Sequence, residues 1–189
     1  TNWGVTGKFP YVFGIFHAFA ESTELRGNYS AIERRLPKAA DDPMCRGMIF
    51  WPENSHADTL MLEYFTANSW TPSHLEIRPF ITEFCRRRYQ RKRKEMERIW
   101  QELLQLGYWR WNQQRECEVY PDYAFTLAHS PQHLCDLTPQ TLERNRFLSL
   151  ELKPHLKHAA ETLRLLSETE ITTDPFVFRD AVDLARTAI

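Results

Sequence analysis

Gly47-Met48-Ile49-Phe50-Trp51-Pro52-Glu53-Asn54 is a short apolar run broken off by a proline and a carboxylate. Met48 to Trp51 reads as a buried strand, and Pro52 forbids its continuation because proline donates no hydrogen bond to a ladder. In a barrel of parallel strands and helices, chemistry sits where a strand ends and its loop begins. Glu53 is therefore a candidate catalyst, although by spacing alone a glutamate after an apolar run is more often a solvated loop residue.

Upstream, Tyr11-Val12-Phe13-Gly14-Ile15-Phe16 is a continuous apolar run with β-branched and aromatic residues, which predicts a strand buried on both faces. It ends in His17-Ala18-Phe19-Ala20, and a polar loop leads through Gly27-Asn28 to a helix-like segment near Ser30 to Leu36. Downstream, Ser55-His56-Ala57-Asp58 has the form of a helix N-cap with an acidic residue three places on. It opens a helix through Leu60, Met61, Tyr64, Phe65 and Ala67. Strand, loop, helix, repeated, is the order of βα units packed in parallel, yet two such units cannot close a barrel.

From Pro79 onward the pattern is helical, with Phe80, Ile81 and Phe84, then Met96, Ile99, Trp100, Leu103 and Leu104 at helical spacing. Between Trp109 and Pro139 lies a polar and aromatic stretch of weak periodicity, read as a surface excursion without function. Thr138-Pro139 and Asp174-Pro175 each supply a cap and a first-turn proline. The first starts a helix carrying Leu142 and Phe147, the second a helix through Phe178, Ala181, Val182 and Ala185. Between them a further helix follows His155 through Leu163 to Leu166. The expected organisation is residues 1–75 as βα units and 76–189 as a mostly helical domain.

At 189 residues with 42 % hydrophobic and 13 % aromatic content, the chain is long and apolar enough for a sizeable core, which argues against disorder. The 24 basic and 25 acidic side chains nearly cancel, so no global field draws it to nucleic acid or a membrane surface. Cys45, Cys85, Cys117 and Cys135 form neither a C-x-x-C pair nor a regular disulfide framework, and they leave the redox compartment open. No apolar run approaches the roughly 20 residues that span a bilayer, and no signal peptide opens the chain. A start at Thr1 and an end at Ile189 within a helical pattern suggest a piece of something longer.

Other chemistries find little support. Arg86-Arg87-Arg88-Tyr89-Gln90-Arg91-Lys92-Arg93-Lys94 mixes cations with an aromatic as phosphate-gripping segments do, but Glu95, Glu97 and Glu102 follow at helical distances, which favours a solvated helix junction. His129, His133, His155 and His158 are dispersed, and His155-x-x-His158 alone is too little for a metal. No metal and no cofactor are expected. There is no G-x-S-x-G elbow, and six glycines make no phosphate loop. Asn28-Tyr29-Ser30 would accept N-glycosylation only in a secreted eukaryotic protein.

One family resemblance is carried by motif order. His17-Ala18-Phe19 at a strand end, Gly27-Asn28, Pro52-Glu53, then Asn68-Ser69-Trp70, Phe84 with Arg87-Arg88-Tyr89, and Trp100 with Leu103-Leu104 and Tyr108 resemble the α-N-acetylglucosaminidases, glycoside hydrolase family 89. The close is similar too, with Leu163 to Leu166, Asp174-Pro175, and Asp180-Ala181-Val182-Asp183-Leu184-Ala185-Arg186 resembling that family's D-x-x-D-x-x-R helix. Each motif is short; their order and spacing carry the likeness, which covers nearly the whole chain.

The resemblance implies a helix-rich α/β chain: the C-terminal part of a catalytic (β/α)8 barrel followed by an all-α segment. It implies a retaining, exo-acting hydrolase that removes terminal α-linked N-acetylglucosamine from glycans, lysosomal or secreted or periplasmic, with no nucleic-acid or membrane partner. Glu53 matches the nucleophile, and the acid partner is expected upstream of Thr1, so the isolated piece is expected to be inactive. His17 and Asn28 match pocket positions, and Trp51 is a candidate platform for a sugar face. Where the family reads His-Asn-Phe-Gly-Gly-Asn, this chain has Ala18 for the asparagine, lacks the paired glycines and inserts Glu21 to Arg26; Asn54 replaces a glycine. These departures fall in the expected pocket rather than the scaffold. Arg87, Arg88, Asp180, Asp183 and Arg186 are expected to make capping or ion-pair contacts between helices. The competing reading is a non-catalytic helical interaction module with the basic helix as its contact surface.

Overall fold

The computed structural model describes residues 7–17, 25, 29–52, 58–112, 156–171 and 174–188. Strand β1 (Tyr11–His17) leads to α1 (Tyr29–Ala40), β2 (Cys45–Pro52), α2 (Thr59–Trp70) and α3 (Ile77–Arg88). A short 3-10 turn over Gln90–Lys92 then precedes α4 (Arg93–Asn112), α5 (Leu156–Glu168) and α6 (Pro175–Ala188). The expected helix with Leu142 and Phe147, and nearly all of the expected excursion after Trp109, lie outside the described residues.

β1 and β2 pair in parallel, with Tyr11 opposite Cys45, an irregularity, then Phe13 opposite Met48 and on to His17 opposite Pro52. The irregularity sets Val12 against both Arg46 and Gly47, a bulge that re-phases the pair. The result is a helix-rich α/β fold with a two-stranded parallel sheet; the described strands form no barrel.

The sheet has two unlike faces. Phe13, Ile15, Met48 and Phe50 pack on the hydrophobic core, where the Phe65 ring of α2 lies 6.5 Å from Phe13 and 5.7 Å from Phe50. On the opposite face Val12, Ile49 and Trp51 are 55 %, 48 % and 62 % exposed. The expectation that β1 is buried on both faces is thus corrected, because only one side of the sheet meets the core. Gly14 belongs to the open face, and a Cβ there would stand 2.4 Å from Ile49 Cγ2. Only glycine leaves room for that side chain to lie across the neighbouring strand.

Helix α1 buries Tyr29, Ile32, Leu36 and Ala39 along one stripe. It runs past the expected end at Leu36, taking Pro37 into its last turns, and the Asp41 amide donates to the Pro37 carbonyl at 2.9 Å. Helix α2 buries Leu60, Met61, Tyr64, Phe65 and Asn68. Its cap is Asp58 and not Ser55: Asp58 sits in the left-handed region at φ 55°, and its Oδ1 accepts from the Met61 amide at 3.0 Å. A short acidic side chain tolerates that conformation and satisfies an otherwise orphaned amide at once.

After α2 the chain reverses under tight control. Asn68 Nδ2 donates to the Tyr64 carbonyl at 2.9 Å and the His74 carbonyl at 3.2 Å, while its Oδ1 accepts from the His74 amide at 2.9 Å. The Tyr64 hydroxyl adds a 2.7 Å bond to the Leu75 carbonyl. Helix α3 begins before Pro79, which falls in its first turn where a missing N–H costs little. Helix α4 continues to Asn112, beyond Trp109 where helical periodicity fades. Asp174 caps α6 as expected, accepting from Phe176 and Val177 amides at 2.8 and 3.3 Å. One hydrophobic core runs from Leu25 and Tyr29 through Tyr64, Phe84 and Trp100 to Leu184 and Ala188. Each large apolar side chain buried in it contributes roughly 1.5–3 kcal/mol.

Candidate functional site

The C-terminal ends of the two strands lie side by side, His17 opposite Pro52. This is the edge of a parallel sheet at which ligands bind, because the connecting loops gather there. Glu53 follows Pro52 directly. Glu53 itself and Asn28 lie outside the described residues, so their placement is not part of the geometry. His17 closes β1 through its backbone, and Trp51 stands on the open sheet face one residue before the end of β2. Of the four residues singled out from sequence, His17 and Trp51 are thus brought to the same edge.

Helix α6 meets the chain beyond β1 at Leu25. The Leu25 amide donates to Thr187 Oγ1 at 2.8 Å, and the Thr187 hydroxyl donates to the Asp183 carbonyl at 2.8 Å. Asp183 is buried, and burial pushes its carboxyl above the usual aspartate range; Asp180 and Asp58 push the same way, against Arg186 and Arg179. The last turn of α6 is thereby hydrogen-bonded to Leu25. Sequence reading missed Thr187 entirely. Its partner is 162 positions away, and a threonine on the polar side of a helix carries no signal.

Four of the residues quoted for the family resemblance, Arg88, Tyr89, Trp100 and Asp180, meet in one buried network. Arg88 Nε and Nη2 donate to Asp180 at 2.5 and 3.1 Å, the Tyr89 hydroxyl also donates to Asp180, and Trp100 Nε1 donates to the Tyr89 oxygen at 2.8 Å. The Arg88 guanidinium lies 4.8 Å from the Phe176 ring centre and 5.7 Å from that of Phe84. Burial drives the Tyr89 phenol far above its ordinary pKa, and the Asp180 carboxylate adds to it, so the hydroxyl stays a donor. Burial opposes the Arg88 charge, but Asp180 outweighs it. Arg88 Nε and Nη2, the Tyr89 hydroxyl, Trp100 Nε1 and both Asp180 oxygens are engaged with one another, which makes the cluster a tie between α3, α4 and α6. The expected interhelical ion pairing of Arg88 and Asp180 is what the structure shows; Arg87 bridges α3 to Glu63 of α2 at 3.0 Å. Asp183 and Arg186 pair within α6 at 3.5 Å.

The basic run is largely answered by carboxylates, though not by those the spacing suggested. Arg86 pairs with Glu83 at 2.6 Å, Arg87 with Glu63, Arg88 with Asp180 and Lys92 with Glu170 at 3.5 Å. Of the acids expected to do this, Glu97 accepts from Thr82 at 2.6 Å and Glu102 pairs with His158 of α5 at 2.6 Å. Burial pushes the Cys85 thiol well up, leaving it an inert core group. Two surface grooves, about 640 and 730 Å³, are lined by α3, α4 and α5 around Gln101 and by the α2–α3 corner around His74; neither takes a residue from a strand. Among the described residues no helix is long and apolar enough to cross a membrane. Comparison with protein-family models, curated proteins and solved structures returns no match.

Proposed function

We propose that the chain is part of a retaining glycoside hydrolase that removes terminal α-linked N-acetylglucosamine from glycans, with Glu53 as the nucleophile. The observation that carries the reading is the half-covered parallel sheet. Strands β1 and β2 end together at His17 and Pro52, Glu53 comes next in the chain, and the apolar residues Val12, Ile49 and Trp51 on the outward face remain about half exposed. Parallel sheets are normally buried on both faces. Neighbouring strands of a (β/α)8 barrel would bury the open face as barrel interior and turn the Glu53 end toward a common pocket. In this reading α3 to α6 belong to the helical domain that braces the barrel from outside.

Retaining hydrolysis needs two carboxyl groups about 5 Å apart, one to attack the anomeric carbon and one to protonate the leaving oxygen. Glu53 takes the first role and must stay ionised, which calls for hydrogen-bond donors around it; His17 and Asn28 are the donors the family resemblance offers, with Trp51 as a stacking platform. The acid comes from an earlier barrel strand outside this chain. The alternative of a helical interaction module using the basic helix has less support, since Arg86, Arg87, Arg88 and Lys92 all face carboxylates.

The test is steady-state turnover of an aryl α-N-acetylglucosaminide by the protein carrying this chain within its complete barrel. Glu53→Gln is expected to lower kcat by several orders of magnitude, and product NMR is expected to show retained anomeric configuration. Turnover undiminished by Glu53→Gln, or an inverted product, removes the assignment.

A further inference from the structure

We propose that the groove between α3, α4 and α5 is an oxyanion site, which takes a phosphate group, free or as a monoester, on Arg78, Lys94 and Arg98. The site stands apart from the glycosidase reading and uses no residue of the strand ends.

Cations from two helices line this groove of about 640 Å³, Arg78 from α3 and Lys94 and Arg98 from α4. Arg78 is held in place by Gln101: its Nη1 donates to Gln101 Oε1 at 3.1 Å, and Gln101 Nε2 donates to the Arg78 carbonyl at 3.0 Å. A guanidinium carries five N–H donors in a planar fork that matches phosphate geometry, so the contact with Gln101 orients Arg78 without exhausting it. Among the described residues Lys94 and Arg98 make no ion pair with a carboxylate. The acids of the same groove are engaged elsewhere. Glu161 accepts from Arg164 Nε and Nη2 at 2.7 and 2.6 Å, Glu102 holds His158 at 2.6 Å, and Glu97 accepts from the Thr82 hydroxyl at 2.6 Å. Arg164, and after it the charge of Arg98, hold the Glu161 carboxyl below the usual glutamate range. Formal charges in the groove balance, but the unspent hydrogen-bond donors lie with the cations. Lys94 and Arg98 stand four residues apart on one helix, where like charges repel, and Lys94 falls in the first turn of α4, where a cation opposes the helix dipole. A bound dianion turns both repulsions into attraction. Three separate cations suit a tetrahedral group with three free oxygens better than a planar carboxylate with two. The groove is larger than a single ion, which leaves room for the organic part of a small ester.

The experiment titrates inorganic phosphate and, separately, glycerol 2-phosphate into the 189-residue chain at constant ionic strength, following amide and arginine side-chain NMR shifts. Saturable shifts are expected along residues 94–105 and at Arg78. Arg78, Lys94 and Arg98 are exposed, so their substitution leaves the core intact. Arg78→Gln and Arg98→Gln are each expected to weaken binding by about tenfold. Arg91→Gln removes an exposed cation outside the groove and is expected to stay within about twofold of wild type. Tighter binding of glycerol 2-phosphate than of the ion upholds the site as one for an ester, and equal affinities uphold it as one for free phosphate. Shifts that sodium chloride reproduces at the same ionic strength, or a loss that Arg91→Gln shares, show diffuse screening only and overturn the site. The absence of a saturable shift with either probe also overturns it.

Discussion

The helical half and the sheet half of this molecule solve burial in opposite ways. Helices α3, α4, α5 and α6 close on themselves: Phe84, Met96, Ile99 and Leu184 are sealed, and the buried polar atoms of Arg88, Tyr89, Trp100 and Asp180 find one another. Strands β1 and β2 have one face sealed by Phe65 and its neighbours and the other carrying Val12, Ile49 and Trp51 toward solvent. The seal is not total: among the described residues the buried Thr162 hydroxyl has no hydrogen-bond partner, and Phe176, Phe178 and Val182 of α6 stay exposed. A parallel pair with an apolar open face is stable here because it leans on α1 and α2, and its composition fits a more extensive sheet.

Breaking the helical half should cost most. Asp180→Ala leaves the Arg88 charge and the Tyr89 hydroxyl buried without their acceptor, and a loss of about 3–5 kcal/mol in urea unfolding is expected. In the sheet half, Gly14→Ala drives a methyl into Ile49 Cγ2 and is expected to cost about 1–3 kcal/mol. Ile49→Ala in the same molecule should recover much of this, which a double-mutant cycle measures directly; additive losses would show that the two residues do not meet. Alkali should probe the sheet half next. Burial, then Asp42, pushes the Tyr11 phenol up to about 12 from its ordinary 10.0. The group therefore contributes stability that is whole below pH 10 and drains away as pH rises toward 12. Tyr11→Phe should flatten that decline in a pH series of thermal midpoints. The smallest effect is expected on the open face, where Val12→Thr should change stability by no more than about 0.5 kcal/mol; a larger loss would show that the face is covered.

The helices were legible because their apolar residues recur at three and four positions, and this holds for α2, α3, α4 and α6. Their ends were less so. Ser55-x-x-Asp58 has the spelling of a capping box, yet Asp58 caps α2 itself from a left-handed backbone, a choice made by burial and not by the local pattern. The helix-like pattern ends near Leu36, but the buried stripe through Ala39 carries α1 one turn further. The apolar run in β1 predicts two buried faces and only one meets the core, since periodicity records what a strand can bury and not what is there to bury it. At the strand-end site, the edge was legible from the abrupt stop at Pro52. Its braces were not: Asp180 meets Tyr89 from 91 positions away and Thr187 meets Leu25 from 162, separations on which a local pattern is silent.

Asn68 at the α2–α3 corner has a mechanical meaning. With two Asn68 bonds to His74 holding the reversal to the end of α2, and the Tyr64 hydroxyl bonded to the Leu75 carbonyl beside it, this bend is tied at two successive residues. It behaves as a weld and not a pivot. A swing of the strands relative to the bundle about this corner would have to break those bonds, so other joints are the softer ones.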